Sequence, residues 1–211
     1  MPDLTFALYR FEIPADGQVT IPGSGAAAVL AHSGGLSING EVLSEGCGVF
    51  TAGGAIIGAV APAVALVFVL SEGPADPAAL RTETIAVRFP CLLRLDEVAF
   101  PPGAQAFRHV HPGPGFRHLR WGQLRLEADD HAFIASPGDT WFEPEQSPVK
   151  ATASDTETET RFVRCMVLPP EFEGKPTIQI LDPEDAKRPK RQVTHRHLDQ
   201  VLENLAQGDA G

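Results

Sequence analysis

The chain has 211 residues, 43% of them hydrophobic, with 20 glycines, 19 prolines and a formal net charge of -10. That length holds one large domain or two of about 100 residues, and the composition excludes wholesale disorder. The acidic balance disfavours nucleic acid, whose phosphates it would repel.

Strand signals dominate the first 170 residues. Short apolar or alternating runs recur between Gly, Pro, Asn and Asp, as in Phe6–Ile13, Ala26–Ala31, Leu36–Ile38 and Ala63–Leu70. The apolar stretch from Gly54 to Leu70 contains Gly58 and Pro62. It reads as two strands around a turn, since a membrane span needs about 20 apolar residues. The N-terminus lacks the basic start and long apolar run of a signal peptide, so a cytoplasmic protein without membrane contact is expected. Cys47, Cys91 and Cys165 form no CxxC pair and read as reduced, core-packed thiols.

The Pro- and Ala-rich stretch around 74–84 reads as a linker between two β units. Later strands are expected at Ile85–Phe100, Phe107–His111, Phe116–Trp121, Leu124–Glu127, His131–Ala135 and Arg161–Leu168. The chain repeats itself in order. The segment from Tyr9 parallels that from Leu95, Gly35 onward parallels Gln123 onward, and Ser44 onward parallels Ser136 onward. The expected organisation is a first β unit over 1–73, a linker over 74–84, a second β unit over 85–170, and a C-terminal arm over 171–211. Within the arm, Thr177–Leu181 suggests one strand and Lys187–Arg191 a solvated basic run. Leu198, Val201, Leu202 and Leu205 have helical spacing, which predicts a helix over 195–207.

The segment Gly103–Gly122 carries the chemistry. His109 and His111 lie two apart on a predicted strand, so both rings share a face and could chelate a first-row divalent metal. On the next strand Arg117, Leu119 and Trp121 form one face, and Phe116, His118 and Arg120 the other. His32 and His131 lie near turns and read as exposed. His195 and His197 read as surface residues at the start of the predicted helix. Trp141 and Phe142 read as wall and core.

Gly103, His109, His111 and Gly122 fall at the spacing of the first cupin motif, and Gly138 and Pro144 at that of the second. The chain therefore resembles the cupin superfamily, in its two-domain (bicupin) form. The resemblance implies an all-β fold of two tandem jelly-roll barrels followed by the arm and helix. It also implies a homodimer and a metal or ligand site in the second barrel. The family's Glu ligand position is Gly115 here and its second-motif His position is Val149. In the first repeat the two His positions correspond to Gly23 and Gly25, so that copy is expected to be structural.

Three readings of the second barrel stay open. One is a divalent-metal enzyme (Fe, Mn, Ni or Zn, with no organic cofactor) of dioxygenase or isomerase type acting on a small carboxylate. There His109 and His111 would hold the metal, Glu143 would ligate it or move a proton, and Arg117 would anchor the acid. Arg117, Trp121, Trp141 and Phe107 would line the pocket. The second is a small-molecule binding or sensor module without turnover. The third is an inert barrel whose histidines are hydrogen-bonded core residues.

Overall fold

A computed structural model describes residues 1–156 and 159–205. It divides into two compact units, Met1–Leu93 with the stretch from Gln200, and Arg94–Asp199.

The first unit contains β1 (Asp3–Ile13), β2 (Gly17–Thr20), β3 (Gly25–Ser33), β4 (Leu36–Ile38), β5 (Glu41–Leu43), β6 (Gly48–Ala52), β7 (Ile56–Ala59), β8 (Ala63–Ser71) and β9 (Arg81–Ala86). They form two sheets, in the orders β6-β3-β8-β1-β9 and β2-β7-β4-β5. Every strand has a turn residue close by; Asn39 and Gly40, for example, both take positive φ between β4 and β5. The interior is filled by Tyr9, Val29, Ile57, Val67 and many alanines, among them Ala27, Ala31 and Ala65. Gly25, at one of the expected His-equivalent positions, has φ +130°. A Cβ there would lie 2.4 Å from the Leu70 carbonyl oxygen. No side chain fits at that place, and hence no ligand.

The second unit contains β10 (Cys91–Phe100), β11 (Gln105–Val110), β12 (Gly115–Trp121), β13 (Leu124–Ala128), β14 (Ala132–Ala135), β15 (Thr140–Glu143), β16 (Val149–Ala153), β17 (Thr160–Leu168), β18 (Gln179–Ile180) and β19 (Val193–Leu202). Its sheets run β15-β12-β17-β10-β19 and β14-β13-β16-β11-β18. Adding nine to each of the first eight strand numbers converts the first unit's order into the second's. The paired segments read from the sequence occupy equivalent strands: β1 with β10, β4 with β13, and β6 with β15.

Two expectations are corrected. The stretch expected as a linker over 74–84 is strand from Arg81 onward, paired antiparallel to β1 with Leu8 opposite Arg81. Its β-branched residues Thr82, Thr84 and Ile85 suit that role. The helix expected over 195–207 is instead β19 as far as Leu202, while its last two residues lie outside the described ones. The leucine spacing fits a helix, but the open edge of β10 offers unpaired backbone groups. An adjoining strand satisfies them. The arm also holds a 3-10 turn (Pro170–Phe172) and one short helix (Pro183–Ala186). Cys47 is exposed, whereas Cys91 and Cys165 are buried free thiols. Burial pushes the Cys91 thiol up to about 11. No helix among the described residues is long and apolar enough to cross a membrane.

Candidate functional site

The inward face of the second barrel changes character along each strand. On β10 it runs from Arg94 and Asp96 to Val98 and Phe100, all buried. On the adjacent strands Arg117 faces Arg164 while Leu119 faces Phe162. The apolar end is a core that includes Leu119, Leu126, Trp141 and Phe162, and the last three of these also line a cavity. The charged end lines the same cavity, whose volume is about 200 Å³.

His109 and His111 line this cavity. His109 Nδ1 lies 2.7 Å from the Phe107 carbonyl oxygen and His111 Nδ1 lies 3.2 Å from that of Thr177. A carbonyl only accepts, so both Nδ1 atoms carry the proton and both Nε2 lone pairs point inward. The two Nε2 atoms are 3.2 Å apart, and Arg164 Nη1 lies 3.4 Å from that of His111. Burial lowers the pKa of His109, against the opposing charge of Glu143. His111 is held well below the usual imidazole range by burial and then by Arg164 and Arg117. Both rings are therefore neutral at neutral pH.

This has a consequence for stability. The unfolded chain titrates its histidines near pH 6.5, whereas the folded pair resists protonation. Stability from the pair is present above that pH and is lost as pH falls below it, because the unfolded state takes up protons that the folded state refuses. Unfolding free energy should fall by up to about 1.4 kcal/mol per pH unit for each ring. Urea unfolding between pH 7 and 5 measures this slope. His109→Gln, which cannot be protonated in this range, should make it shallower.

Arg117 is 1% exposed. Its Nη1 donates to the Gly115 carbonyl at 2.5 Å and its Nη2 lies 2.8 Å from Glu143 Oε2. Burial lowers its pKa to about 10, against the opposing charge of Glu143, so it remains a cation. The other Glu143 oxygen accepts from Trp141 Nε1 at 2.8 Å. Arg164 holds Asp96 with two bonds of 2.6 and 3.1 Å. Arg94 holds Asp199 likewise, at 2.5 and 2.7 Å. Arg196 also reaches Asp199, at 3.3 Å. Four guanidiniums thus meet three carboxylates, leaving one positive charge in excess beside two neutral imidazoles.

No family model and no curated protein sequence matches the chain. Solved structures do. An oxalate decarboxylase variant from Bacillus subtilis aligns with TM-score 0.58 and 14% identity, covering 88% of this chain and 73% of that one. AerE from Microcystis aeruginosa aligns with TM-score 0.57 and 12% identity, covering 79% and 88%. A cupin 2 conserved barrel domain protein from Leptotrichia buccalis aligns with TM-score 0.50 and 16% identity, covering 79% and 85%. The chain has the cupin fold.

The candidate site residues separate into two groups. His109, His111, Arg117, Trp141 and Glu143 converge on the cavity. Trp121 and Phe107 do not. The register of β12 against β17 shifts between Leu119 and Trp121. That bulge turns Trp121 outward, 47% exposed, with the Arg120 guanidinium 4.1 Å from its ring centroid. A second shift, between Ala106 and His109 on β11, puts Phe107 out of phase with His109. It is buried under the Arg188 guanidinium, 4.1 Å from its ring centroid. His118 lies on the face away from the cavity, as the alternation implies, and is buried there. His195 and His197 share one face of a strand, with ring centroids 4.8 Å apart. His197 is buried with its Nε2 3.3 Å from Glu97, so it is not a surface residue.

Arg94, Asp96 and Arg164 were not singled out in the sequence, though a signal existed. Each is a charge embedded in an otherwise apolar strand, LLRLDEVAF or RFVRCMVL, and such a charge needs a buried partner. Thr177, Gln192 and Arg196 also line the cavity. They come from the arm, where nothing in the pattern marks them.

The cupin motif implies a metal, and the histidine pair is spaced for one. Two nitrogens on one ion at about 2.0–2.1 Å would lie about 3.0–3.4 Å apart. The rest of the set does not fit. Among the described residues no group of three His, Cys, Asp or Glu side chains could hold an ion. Both Glu143 oxygens are engaged. A Cβ at Gly115 would lie 2.5 Å from the Cys165 carbonyl oxygen and 3.1 Å from Arg117 Nη1. The β17 backbone, Met166 and then Arg117 occupy the space that a side chain at 115 would need.

Proposed function

We propose that the second barrel is a metal-independent pocket for a small carboxylate, which it binds without turnover. The observation that carries this reading is the placement of Arg164 Nη1 3.4 Å from the His111 lone pair, where a fixed cation stands beside the histidines. A divalent ion there would face the Arg164 and Arg117 charges at close range with two protein ligands only. The excess positive charge in a mostly buried site calls for an anion. One excess charge matches one carboxylate. The apolar wall matches a short hydrocarbon tail. At about 30 Å³ per water-sized group, the cavity admits a ligand of roughly six to ten non-hydrogen atoms.

The test is thermal unfolding and calorimetry of the full chain, purified without a metal-affinity tag, against aliphatic monocarboxylates of two to six carbons. A carboxylate at one hundred times its Kd should add about 2.7 kcal/mol to the unfolding free energy. It should be recovered chemically unchanged, and chelator treatment should leave binding as it was. Two results would sink the reading. One is near-stoichiometric Fe, Mn, Ni or Zn that disappears in the His109→Ala/His111→Ala variant. The other is the absence of any shift across the carboxylate series.

A further inference from the structure

Resting on the carboxylate reading, we infer that the natural ligand is a hydroxycarboxylate, selected by the arm rather than by the barrel. Most of the charged groups around the cavity are already engaged. Glu143, Asp96 and Asp199 are bound to arginines, and both Nδ1 atoms of the histidine pair are bound to backbone carbonyls. The inward Nε2 lone pairs of the histidines are exceptions, as is Arg117 Nη2, which is ion-paired with Glu143 but not hydrogen-bonded, and so are three cavity-lining side chains of the arm. Thr177 Oγ1, Gln192 Oε1 and Arg196 Nε are buried atoms with no hydrogen-bond partner in the protein. Thr177 is only 2% exposed, so bulk water does not satisfy it.

Buried polar atoms are rarely left unpaired without a reason, and an unmade bond is more costly than a made one is stabilising. The three orphans define a hydrogen-bonding complement. Arg196 Nε–H donates, and needs an acceptor such as a carboxylate oxygen. Gln192 Oε1 accepts, and needs a donor. Thr177 can do either. A plain carboxylate is acceptor-only when ionised and would leave Gln192 Oε1 facing a lone pair. The ligand must therefore carry an O–H or N–H beside its carboxylate. An ammonium is disfavoured by the excess positive charge, which leaves the neutral hydroxyl. All three residues follow Pro170, so the barrel supplies the charge and the arm supplies the discrimination.

The probes are two matched pairs, isovalerate with 2-hydroxyisovalerate and 4-methylpentanoate with 2-hydroxy-4-methylpentanoate, titrated calorimetrically into the full chain. The hydroxylated member of each pair should bind wild type about tenfold tighter, equivalent to about 1.4 kcal/mol. In Gln192→Leu and in the near-isosteric Thr177→Val the preference within each pair should fall to about threefold or less. Equal binding of both members to wild type overturns this inference and leaves the carboxylate pocket standing. So does a preference that survives both substitutions. If none of the four acids binds, the pocket reading itself fails, and this inference with it.

Discussion

Asp96→Ala should lower the unfolding free energy by about 3–5 kcal/mol, the usual cost of removing one partner of a buried ion pair. Asp96 is fully buried and the Arg164 side chain is 10% exposed, so solvent screens little of the loss. A guanidinium cannot shed its charge near neutral pH. Without Asp96 the Arg164 cation would sit unpaired, directly across the sheet from Arg117 and beside two imidazoles that resist protonation. The contrast is Arg10 with Glu12, a surface pair whose side chains are 35% and 73% exposed. Removing Glu12 there should change stability by about 1 kcal/mol or less. For a chain of this length, 3 kcal/mol corresponds to a melting temperature lower by roughly 6–12 °C, which calorimetry or urea unfolding resolves easily. The double variant Asp96→Ala/Arg164→Met should recover most of the loss, because no uncompensated charge remains. A loss below about 1 kcal/mol in the single variant would mean that water reaches Arg164 freely, and the charge argument for an anionic ligand would fall.

Gly115→Glu should destabilise the protein by about 3 kcal/mol or more without creating a metal site. On the cupin motif alone this substitution looks like a restoration of the missing ligand. The geometry opposes it. The new Cβ would meet a backbone oxygen of β17 at 2.5 Å and Met166 Cγ at 2.7 Å. Methionine can swing aside, but the paired strand cannot. Gly115→Ala should reproduce most of the loss, since the collision begins at Cβ and not at the carboxylate. Urea unfolding measures the stability, and elemental analysis after incubation with Fe(II) or Mn(II) measures the metal. A folded Gly115→Glu protein carrying near-stoichiometric metal would show that Arg117 yields the space, and the metal-independent reading would have to be withdrawn.

Period-2 patterning and turn chemistry were enough to locate most strands, and the glycine and histidine spacing was enough to point to the barrel that carries the site. The failures have definite causes. Alternation reads inside from outside correctly only until a bulge inserts half a period. Trp121 and Phe107 lie next to such shifts and face the wrong way for that reason. Arg164 and Asp96 lie 68 positions apart, and local pattern contains no information about that pairing. The arm gave a helical spacing, but spacing is a weak prior against an open strand edge. Thr177, Gln192 and Arg196 were invisible because each is unremarkable in its own neighbourhood and acquires a role only where the arm returns to the barrel.

The change from a charged layer to an apolar layer inside the second barrel also sets a length gauge. A ligand anchored at the arginines can only grow toward Leu126 and Phe162, which line the far side of the same cavity. Each added methylene contributes about 0.8 kcal/mol while room remains. Once the volume of about 200 Å³ is filled, the next carbon must push apart a close-packed core, and the gain turns into a penalty. Affinity along a homologous series then rises in even steps and breaks off sharply, so the barrel measures its ligand as well as recognising its charge.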